Sequence, residues 1–304
     1  MTKRVLVTGA SGLVGRTLMK ALVTHGYEVH GLSRQQRDSD TPAIRFYRWD
    51  VTGGTLDTDC LEGVTAIIHL AGEPIGALPW SNKRKRIIRE SRTQSIAVLY
   101  DALKRNPSHG VRTVISASAT GYYSHRGDEW MTEDKPPAND FLGGTCVAWE
   151  RGVSAGKDMG LRTVSLRSGL VLSADGGIYR QLTNIVDKGL GAVPGSGRQW
   201  VPWIHIEDAV KMYCFAMEHS GISGVYNMVA PDPVIFSQLI RVIAAERRKP
   251  LWLPKVPAVL LKAVLGQMSE LLLSSTRASA DKIRNAGFKF KYPSIGDAAK
   301  ALTH

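Results

Sequence analysis

The chain has 304 residues, of which 43% are hydrophobic and 22% charged, and its formal net charge at pH 7 is +12. This composition is that of a folded globular protein and excludes extensive disorder, while the length allows one large α/β domain with a small addition. The positive charge leaves two interpretations open: a nucleic-acid-binding surface, or a basic solvated surface that attracts anionic cofactors. No nucleic-acid-binding motif accompanies the basic runs at 83–86 and 247–249, so we expect no specific nucleic-acid partner.

The three cysteines, Cys60, Cys146 and Cys214, are far apart and show neither metal-binding spacing nor a disulfide framework. The first apolar run starts within a few residues of Met1, without a signal-like segment before it. The longest apolar stretch, residues 256–265, is interrupted by Lys262 and is too short to span a bilayer. We therefore expect a cytoplasmic protein that has no metal site and no membrane partner.

Short apolar runs alternate with helical periodicity through the first two thirds of the chain. The predicted strands cover residues 4–8, 28–32, 45–49, 66–70, 112–118, 162–167 and 224–228, and the predicted helices residues 83–104, 141–155 and 209–218. This alternation predicts an α/β fold of the Rossmann-like, doubly wound type, with a parallel sheet covered by helices on both faces. In such sheets ligands bind beyond the carboxyl ends of the strands.

The remainder of the chain changes character after about residue 230. Residues 231–304 are mainly helical in pattern, with proline breaks, so we expect an NADP-binding domain over 1–230 and a small C-terminal domain over 231–304. Residues 176–200, which include a glycine-rich loop at 189–197, are expected to contribute to the substrate side.

A glycine-rich turn follows the first predicted strand and precedes a helical pattern. It reads Gly9-Ala10-Ser11-Gly12-Leu13-Val14-Gly15. In the order strand, turn, helix, such glycines allow a tight turn and a close backbone approach to a phosphate, and the helix N-terminus offers unpaired N–H groups to an anion. This context predicts a dinucleotide-binding site.

The end of the second strand predicts which dinucleotide is bound. It reads Leu32-Ser33-Arg34-Gln35 and has no carboxylate to bind the hydroxyls of an NAD ribose. Because a guanidinium can pair with a 2′-phosphate, Ser33 and Arg34 predict NADP. Asp50 is either an acceptor for the adenine amino group or a helix cap.

Further cofactor contacts are expected at the ends of other strands. The segment Leu70-Ala71-Gly72 ends the fourth strand, and Glu73 after it could face the nicotinamide. Leu170 follows the sixth strand. Arg92, on the helix beside the cleft, is either a partner for a pyrophosphate or substrate anion, or a solvated arginine.

The spacing Thr-Gly-x-x-Gly-x-x-Gly resembles that of the extended short-chain dehydrogenase/reductase superfamily. This resemblance implies a Ser or Thr at the end of the fifth strand and a Tyr-x-x-x-Lys pair on the next helix, whose tyrosine is the general acid/base. Ser118 stands in the serine position, but Leu142 and Cys146 occupy the tyrosine and lysine positions. Tyr122 is the candidate replacement for the tyrosine.

Several of these residues also have simpler interpretations. Ser118 could simply close a strand, and Tyr122 and its neighbour Tyr123 could pack a loop. Cys146 is better read as a small buried hydrophobic residue than as a nucleophile. His205 and Asp208 are either part of the site or a hydrogen-bonded structural corner.

The whole chain resembles an atypical branch of that superfamily called "epimerase family protein", of the YfcH type. The residues that carry the resemblance are Thr8 to Gly15, Leu70-Ala71-Gly72-Glu73-Pro74, Ser91-Arg92, Trp149-Glu150, Arg167-Ser168-Gly169, Gly195 to Trp200, and Trp203 to Asp208. The C-terminal part resembles the small domain of unknown function at the end of this family. The resemblance implies an NADP-binding extended fold.

Two functions follow from these observations. The first is an NADP-dependent oxidoreductase or epimerase-like enzyme that acts on a small sugar-like or carbonyl compound, with a homodimer as the candidate assembly. The second is an NADP-binding sensor or interaction protein with little or no turnover, since the Tyr-x-x-x-Lys pair is missing.

Overall fold

The computed structural model describes residues 3–303. Its strands are β1 (Arg4–Thr8), β2 (Glu28–Ser33), β3 (Ile44–Asp50), β4 (Thr55–Leu56), β5 (Val64–His69), β6 (Thr113–Ala119), β7 (Trp130–Met131), β8 (Arg162–Ser168), β9 (Leu170–Leu172), β10 (Trp200–Val201), β11 (Trp203–His205), β12 (Gly224–Met228), β13 (Val234–Ile235) and β14 (Arg277–Ala278).

The α-helices are α1 (Leu13–Thr24), α2 (Asn82–Arg105), α3 (Phe141–Ser154), α4 (Gly177–Asp187), α5 (Ile206–Glu218), α6 (Phe236–Glu246), α7 (Ala258–Leu265), α8 (Glu270–Leu273), α9 (Asp281–Asn285) and α10 (Ile295–Ala301). Short 3-10 helices cover Thr58–Leu61, Thr120–Tyr122, Ala155–Met159 and Gly266–Ser269. None of the helices of residues 3–303 has the length and apolarity needed to cross a membrane.

Eight strands form one sheet in the order β12-β8-β6-β5-β1-β2-β3-β4. All neighbours are parallel except β3 and β4. The chain leaves β1 in one direction through β2 and β3, and then returns to build outward from β5, so the order reverses between β1 and β5. The predicted doubly wound Rossmann-like fold is confirmed, and its reversal point is where such sheets open a ligand crevice.

Alternate residues of the central strands pack against helices on opposite faces of the sheet, as the two-residue period of a strand requires. Val5 and Val7 belong to one buried cluster together with residues of α1 and α5. Leu6 belongs to a second cluster with residues of α2 and α3. These strands are apolar throughout because both of their faces are covered.

A third buried cluster lies beside the sheet and combines two parts of the chain that are distant in sequence. Leu182 of α4 belongs to this cluster together with Leu239 of α6 and Ile295, the first residue of α10. Residues 176–200 therefore share a core with the mainly helical C-terminal part. The strands β13 and β14 in that part were not predicted, because two-residue strands have no readable periodicity. The domain boundary at residue 230 stays a prediction.

Candidate functional site

The glycine turn brings the end of β1 and the start of α1 into closer contact than side chains would allow. Gly9 has a φ of +64°, and a Cβ atom on it would lie 2.7 Å from the carbonyl carbon of Leu70. A Cβ atom on Gly15 would lie 2.3 Å from the carbonyl oxygen of Gly9. Inside the turn, the N–H of Gly12 donates to that same oxygen at 2.9 Å. The turn thus requires glycine at these positions.

The N-terminus of α1 has the features of an anion site. Gly12 is its N-cap, no side chain among the described residues caps it, and its first turn has no acidic residue. The first N–H groups of a helix have no partner within the helix, and the positive end of its dipole favours an anion. A dinucleotide pyrophosphate fits this backbone surface, which has neither a Cβ at Gly12 nor a carboxylate.

The two strands on either side of the order reversal are tied together at this turn. The hydroxyl of Thr8 accepts hydrogen bonds from the N–H groups of Leu70 and Ala71, both at 3.0 Å. Leu70 follows β5, which ends at His69, whereas the sequence predicted a strand over 66–70. The Leu70-Ala71-Gly72 segment therefore lies directly beside the glycine turn, where the prediction placed a cofactor contact.

Arg34 follows β2 and is the exposed cation at that strand end. Its side chain is 79% exposed, and its Nη1 lies 3.3 Å from Oε1 of Glu73. The other carboxylate oxygen of Glu73 lies 3.3 Å from Nη1 of Arg84. Ser33 is buried, and its hydroxyl accepts from the N–H of Gln35 at 3.3 Å. Glu73 therefore pairs with Arg34 after β2 and with Arg84 at the start of α2, and its contact with the nicotinamide stays a prediction.

Arg92 is half-buried, and its guanidinium is bound to groups of the protein. It donates to the carbonyls of Ile88 at 2.7 Å and Glu73 at 3.1 Å, and its guanidinium lies 5.0 Å from the ring centroid of Trp149. Burial lowers the pKa of this guanidinium. A Cβ atom on Gly72 would lie 3.2 Å from Cζ of Arg92. Arg92 therefore packs against the backbone that follows β5 and supports it.

Asp50 lies at the exposed end of β3. Its carboxylate accepts from the N–H of Thr52 at 2.9 Å, so it caps a turn and not a helix. Contact with an adenine stays a prediction.

Leu170 begins β9, which pairs with β11. The chain that follows β9 returns to the glycine turn, because the positions of Cβ atoms on Gly176 and Gly177 lie 3.5 and 3.3 Å from the side chain of Leu13. Residues 176–177 therefore border the N-terminus of α1, and a contact between Leu170 and the cofactor stays a prediction.

Ser118 is buried and belongs to an ionic cluster between β6, β8 and α3. Its hydroxyl donates to Oε1 of Glu150 at 2.7 Å. Both oxygens of Glu150 accept from the guanidinium of Arg167 at 2.8 Å. Burial alone would lower the pKa of Arg167, but the hydrogen bonds and the charge of Glu150 outweigh it and raise that pKa. Ser118 therefore contacts a carboxylate, that of Glu150, whose charge is paired with the guanidinium of Arg167.

The two candidate tyrosines differ in their surroundings. Tyr123 is fully buried, and its hydroxyl donates to Oδ1 of Asn227 at 2.8 Å and accepts from Nη1 of Arg167 at 2.9 Å. Burial raises the pKa of Tyr123 to about 12. Tyr122 is half-buried, and the centroid of its ring lies 3.3 Å from Cζ of Arg167. Of the two tyrosines, Tyr122 is the one whose hydroxyl has no hydrogen-bond partner among residues 3–303.

Leu142 and Cys146 flank the end of β6, as their alignment to the tyrosine and lysine positions requires. A Cβ on Gly121 would lie 3.4 Å from Cβ of Leu142 and 4.0 Å from Sγ of Cys146. Leu142 packs in an apolar cluster with Trp80 and Met268. Burial raises the pKa of the Cys146 thiol to about 12, so it is a packed hydrophobic side chain and not a nucleophile.

His205 and Asp208 form a structural corner. Nδ1 of His205 accepts from the N–H of Glu207 at the start of α5. The carboxylate of Asp208 accepts from the N–H groups of Lys291 at 2.7 Å and Tyr292 at 2.8 Å. The sequence left a site role and a structural role open for these two residues. The structure shows the structural role, because the hydrogen bonds of Asp208 join α5 to the C-terminal part.

From the sequence, Glu150 and Arg167 were recognised only as part of the family resemblance, and no role was predicted for either. The signal for their pairing was the second arginine of the strand Arg162–Ser168, because an arginine in a strand that is covered on both faces needs a buried anion to be tolerated. The partner could not be read from spacing, since it lies on the preceding helix.

Known proteins show the family. Residues 5–228 match the NAD dependent epimerase/dehydratase family, and residues 256–302 match a domain of unknown function, DUF1731. The chain belongs to the NAD dependent epimerase/dehydratase family. The predicted resemblance to an "epimerase family protein" with a small C-terminal domain of unknown function is thereby confirmed.

Two relatives and one structural neighbour illustrate the match. The chain is 35% identical over 302 residues to "Epimerase family protein YfhF" of Bacillus subtilis, covering 98% of this chain and 97% of that protein. The human epimerase family protein SDR39U1 (isoform 2), whose crystal structure contains NADPH, is 27% identical with a TM-score of 0.85, over 99% of both chains. UDP-glucose 4-epimerase of Thermus thermophilus, in complex with NAD, has a TM-score of 0.76 at 19% identity over 99% of this chain and 97% of that one, which shows a shared fold alone. This chain therefore has a nicotinamide-dinucleotide-binding fold.

Proposed function

We propose that this protein binds NADPH and uses it to reduce or epimerise a small carbonyl or sugar-like compound. The observation that carries the cofactor choice is Arg34, whose exposed guanidinium follows β2 where a carboxylate would bind an NAD ribose. The human relative whose structure contains NADPH supports the same choice.

The proposed site is assembled from the glycine turn and the end of β6. When bound, the cofactor would supply a hydride in its reduced form for a reduction, or would take a hydride in its oxidised form and return it for an epimerisation. The N-terminus of α1 would hold the pyrophosphate, and Arg34 would pair with the 2′-phosphate.

The proton would come from the other end of the cleft. The hydroxyl of Tyr122 is the candidate donor to the substrate oxygen. The hydroxyl of Ser118 gives its hydrogen to Glu150, so its lone pairs remain to accept a hydrogen bond from a substrate hydroxyl. Leu142 and Met268 contribute an apolar wall that would exclude water.

The cofactor assignment is tested by calorimetric titration of the protein with NADPH and NADH. We expect tighter binding of NADPH, and a loss of about tenfold or more for NADPH alone in Arg34→Ala, since a charge-assisted hydrogen bond contributes about 1.5–3 kcal/mol. Lys104→Ala removes one exposed charge at the end of α2 and should change neither affinity. Tighter binding of NADH by the unaltered protein would refute the assignment.

Turnover is tested against a panel of carbonyl compounds and sugar nucleotides, with NADPH oxidation as the readout for reduction and NMR detection of an inverted stereocentre in the presence of NADP⁺ as the readout for epimerisation, which consumes no net cofactor. We expect Tyr122→Phe and Ser118→Ala to reduce turnover, while Tyr123→Phe and Cys146→Ala retain it where the variants fold. The second candidate function, cofactor binding without turnover, is favoured by one observation: Leu142 and Cys146 replace the usual acid/base pair beside Gly121. Tight NADPH binding with neither reduction nor epimerisation of any compound in the panel would favour it.

A further inference from the structure

The C-terminal part exposes an apolar helix that the proposed function does not use. No residue of α7 is buried. Val259, Leu260 and Val264 of this helix, and Trp252 shortly before it, are each between 53% and 79% exposed. Isolated exposed apolar side chains are ordinary, but a whole helix without a buried residue is not, and such surfaces mark a partner.

These side chains form one surface with a neighbouring loop. Trp252 lies against Gly189, with 3.9 Å between its Nε1 and the position of a Cβ on that glycine. Val256, just before α7, forms a β-bridge with Pro194. Leu190, which lies between these two contacts, is also exposed. We call Leu190, Trp252, Val259, Leu260 and Val264 the α7 surface.

The segment that contains Trp252 and α7 carries an excess of cations, and Glu246 and Glu270 flank it on either side. Residues 247–269 contain no Asp or Glu and five cations, which are Arg247, Arg248, Lys249, Lys255 and Lys262. One of these, Arg247, is paired with Asp187. The remaining four are exposed and lie on or next to the apolar residues. The whole chain, with these cations included, has a formal net charge of +12.

We infer that the α7 surface docks on the surface of an anionic lipid bilayer, with α7 lying in the plane of the interface. An apolar helix flanked by lysines and arginines, with a tryptophan at its edge, is the combination that partitions into the headgroup region. The cations attract anionic headgroups, and the long lysine side chains reach the phosphates while their stems stay among the apolar residues.

The expectation of no membrane partner rests on the lack of a segment that could span a bilayer, which a helix lying on the bilayer does not need. Residues 256–265 are too short to span a bilayer, but a helix that lies on one needs only an apolar face and a cationic margin. A second copy of this chain is a poorer occupant, because bringing two such cationic surfaces together would be opposed by their charges. The inference goes beyond the proposed function and does not depend on it.

Vesicle co-sedimentation of the full chain tests the inference. We expect binding to vesicles of equal parts phosphatidylcholine and phosphatidylglycerol, and little binding to phosphatidylcholine alone. Lys262→Gln should weaken binding about fivefold, since one lysine near an anionic surface contributes about 1 kcal/mol. Val264→Glu should weaken it at least about tenfold, because it places a charge in the apolar face.

Ala97→Glu is the matched control, because it adds the same charge at an exposed position of α2. It should retain vesicle binding, and circular dichroism should show that both glutamate variants are folded. Absence of sedimentation with anionic vesicles would overturn the inference, as would equal losses in Val264→Glu and Ala97→Glu. Ultracentrifugation that shows a dimer dissociated by Val264→Glu, without vesicle binding, would assign the α7 surface to a second copy instead.

Discussion

The carboxylate of Glu150 lies between the hydroxyl of Ser118, at 2.7 Å, and the guanidinium of Arg167, at 2.8 Å from both of its oxygens. Arg167 is 3% exposed and Glu150 12%. The residue in the catalytic serine position is therefore part of a buried ionic cluster that also joins β6, β8 and α3. Whatever chemistry Ser118 performs, it also has a structural role.

The first prediction concerns this cluster. Glu150→Gln should lower the free energy of unfolding by about 3–5 kcal/mol, because it leaves a buried guanidinium without its counter-charge. Ser118→Ala should cost only about 1 kcal/mol, the contribution of one hydrogen bond. Urea unfolding monitored by circular dichroism measures both. In the double variant Glu150→Gln/Arg167→Met, part of the loss should be recovered, and a cost below about 1 kcal/mol for Glu150→Gln would contradict the prediction.

The second prediction concerns the glycine turn. Gly15→Ala should weaken NADPH binding at least about tenfold, because its Cβ would lie 2.3 Å from the carbonyl oxygen of Gly9 and must push α1 away from the turn. Gly221→Ala is the control, since it is exposed and a Cβ there meets nothing within 4 Å. Calorimetry measures both affinities. Equal NADPH affinity in the two variants would show that the close approach is not needed.

The third prediction concerns the carboxylate that faces Arg34. Glu73→Gln should increase NADPH affinity about two- to fivefold, because an exposed ion pair of about 0.2–1 kcal/mol no longer competes with the 2′-phosphate for Arg34. The affinity for NADH should not change. Glu62→Gln, which removes one exposed carboxylate elsewhere, should leave both unchanged. A parallel increase for both dinucleotides in Glu73→Gln would mean that Glu73 acts on another part of the cofactor.

The fourth prediction concerns the effect of pH on stability. His69 is fully buried between the hydroxyls of Ser116 and Ser95, and burial, together with the charge of Arg92, lowers its pKa to about 3. The unfolded chain binds a proton at this histidine below about pH 6.5, while the folded protein does not. Stability should therefore fall as the pH falls from about 6.5 to 5, by up to about 1.4 kcal/mol per pH unit from this residue.

Urea unfolding over this pH range measures the effect. His69→Gln should show a flatter dependence on pH than the unaltered protein, and the exposed His25→Gln should show an unchanged one. Burial also lowers the pKa of His30 and His205, so a dependence of the same sign should remain in His69→Gln. Identical slopes in His69→Gln and the unaltered protein would contradict the assignment of this effect to His69.

Much of the fold could be predicted because its determinants are close together in sequence. The strand Gly224–Met228 has the predicted bounds, and Asn82–Arg105 begins and ends within one residue of the predicted helix. Helix α4 and the two-residue strands were missed. These strands are too short to show the two-residue period of a strand. Helix α4 begins at a pair of glycines, and no side chain within the described residues caps its N-terminus.

In the candidate site, too, the residues that could be predicted are those whose position depends on nearby sequence. Arg34 could be assigned a role because its position follows directly from the end of β2. Glu73 could not, because its direction depends on Arg84 at the start of the next helix. Tyr122 and Tyr123 are neighbours with the same chemistry, and only packing against Asn227 separates the buried hydroxyl from the available one.

By itself, the sequence determined the order of strands and helices, the glycine turn that joins β1 to α1, and the cation that follows β2. Each of these depends on hydrogen bonds and side-chain periods that operate within a few residues. Only the tertiary structure decided that Glu150 neutralises Arg167 beneath Ser118, and that α7 remains exposed. Those outcomes depend on which surfaces distant segments bury against one another, and no local pattern encodes that choice.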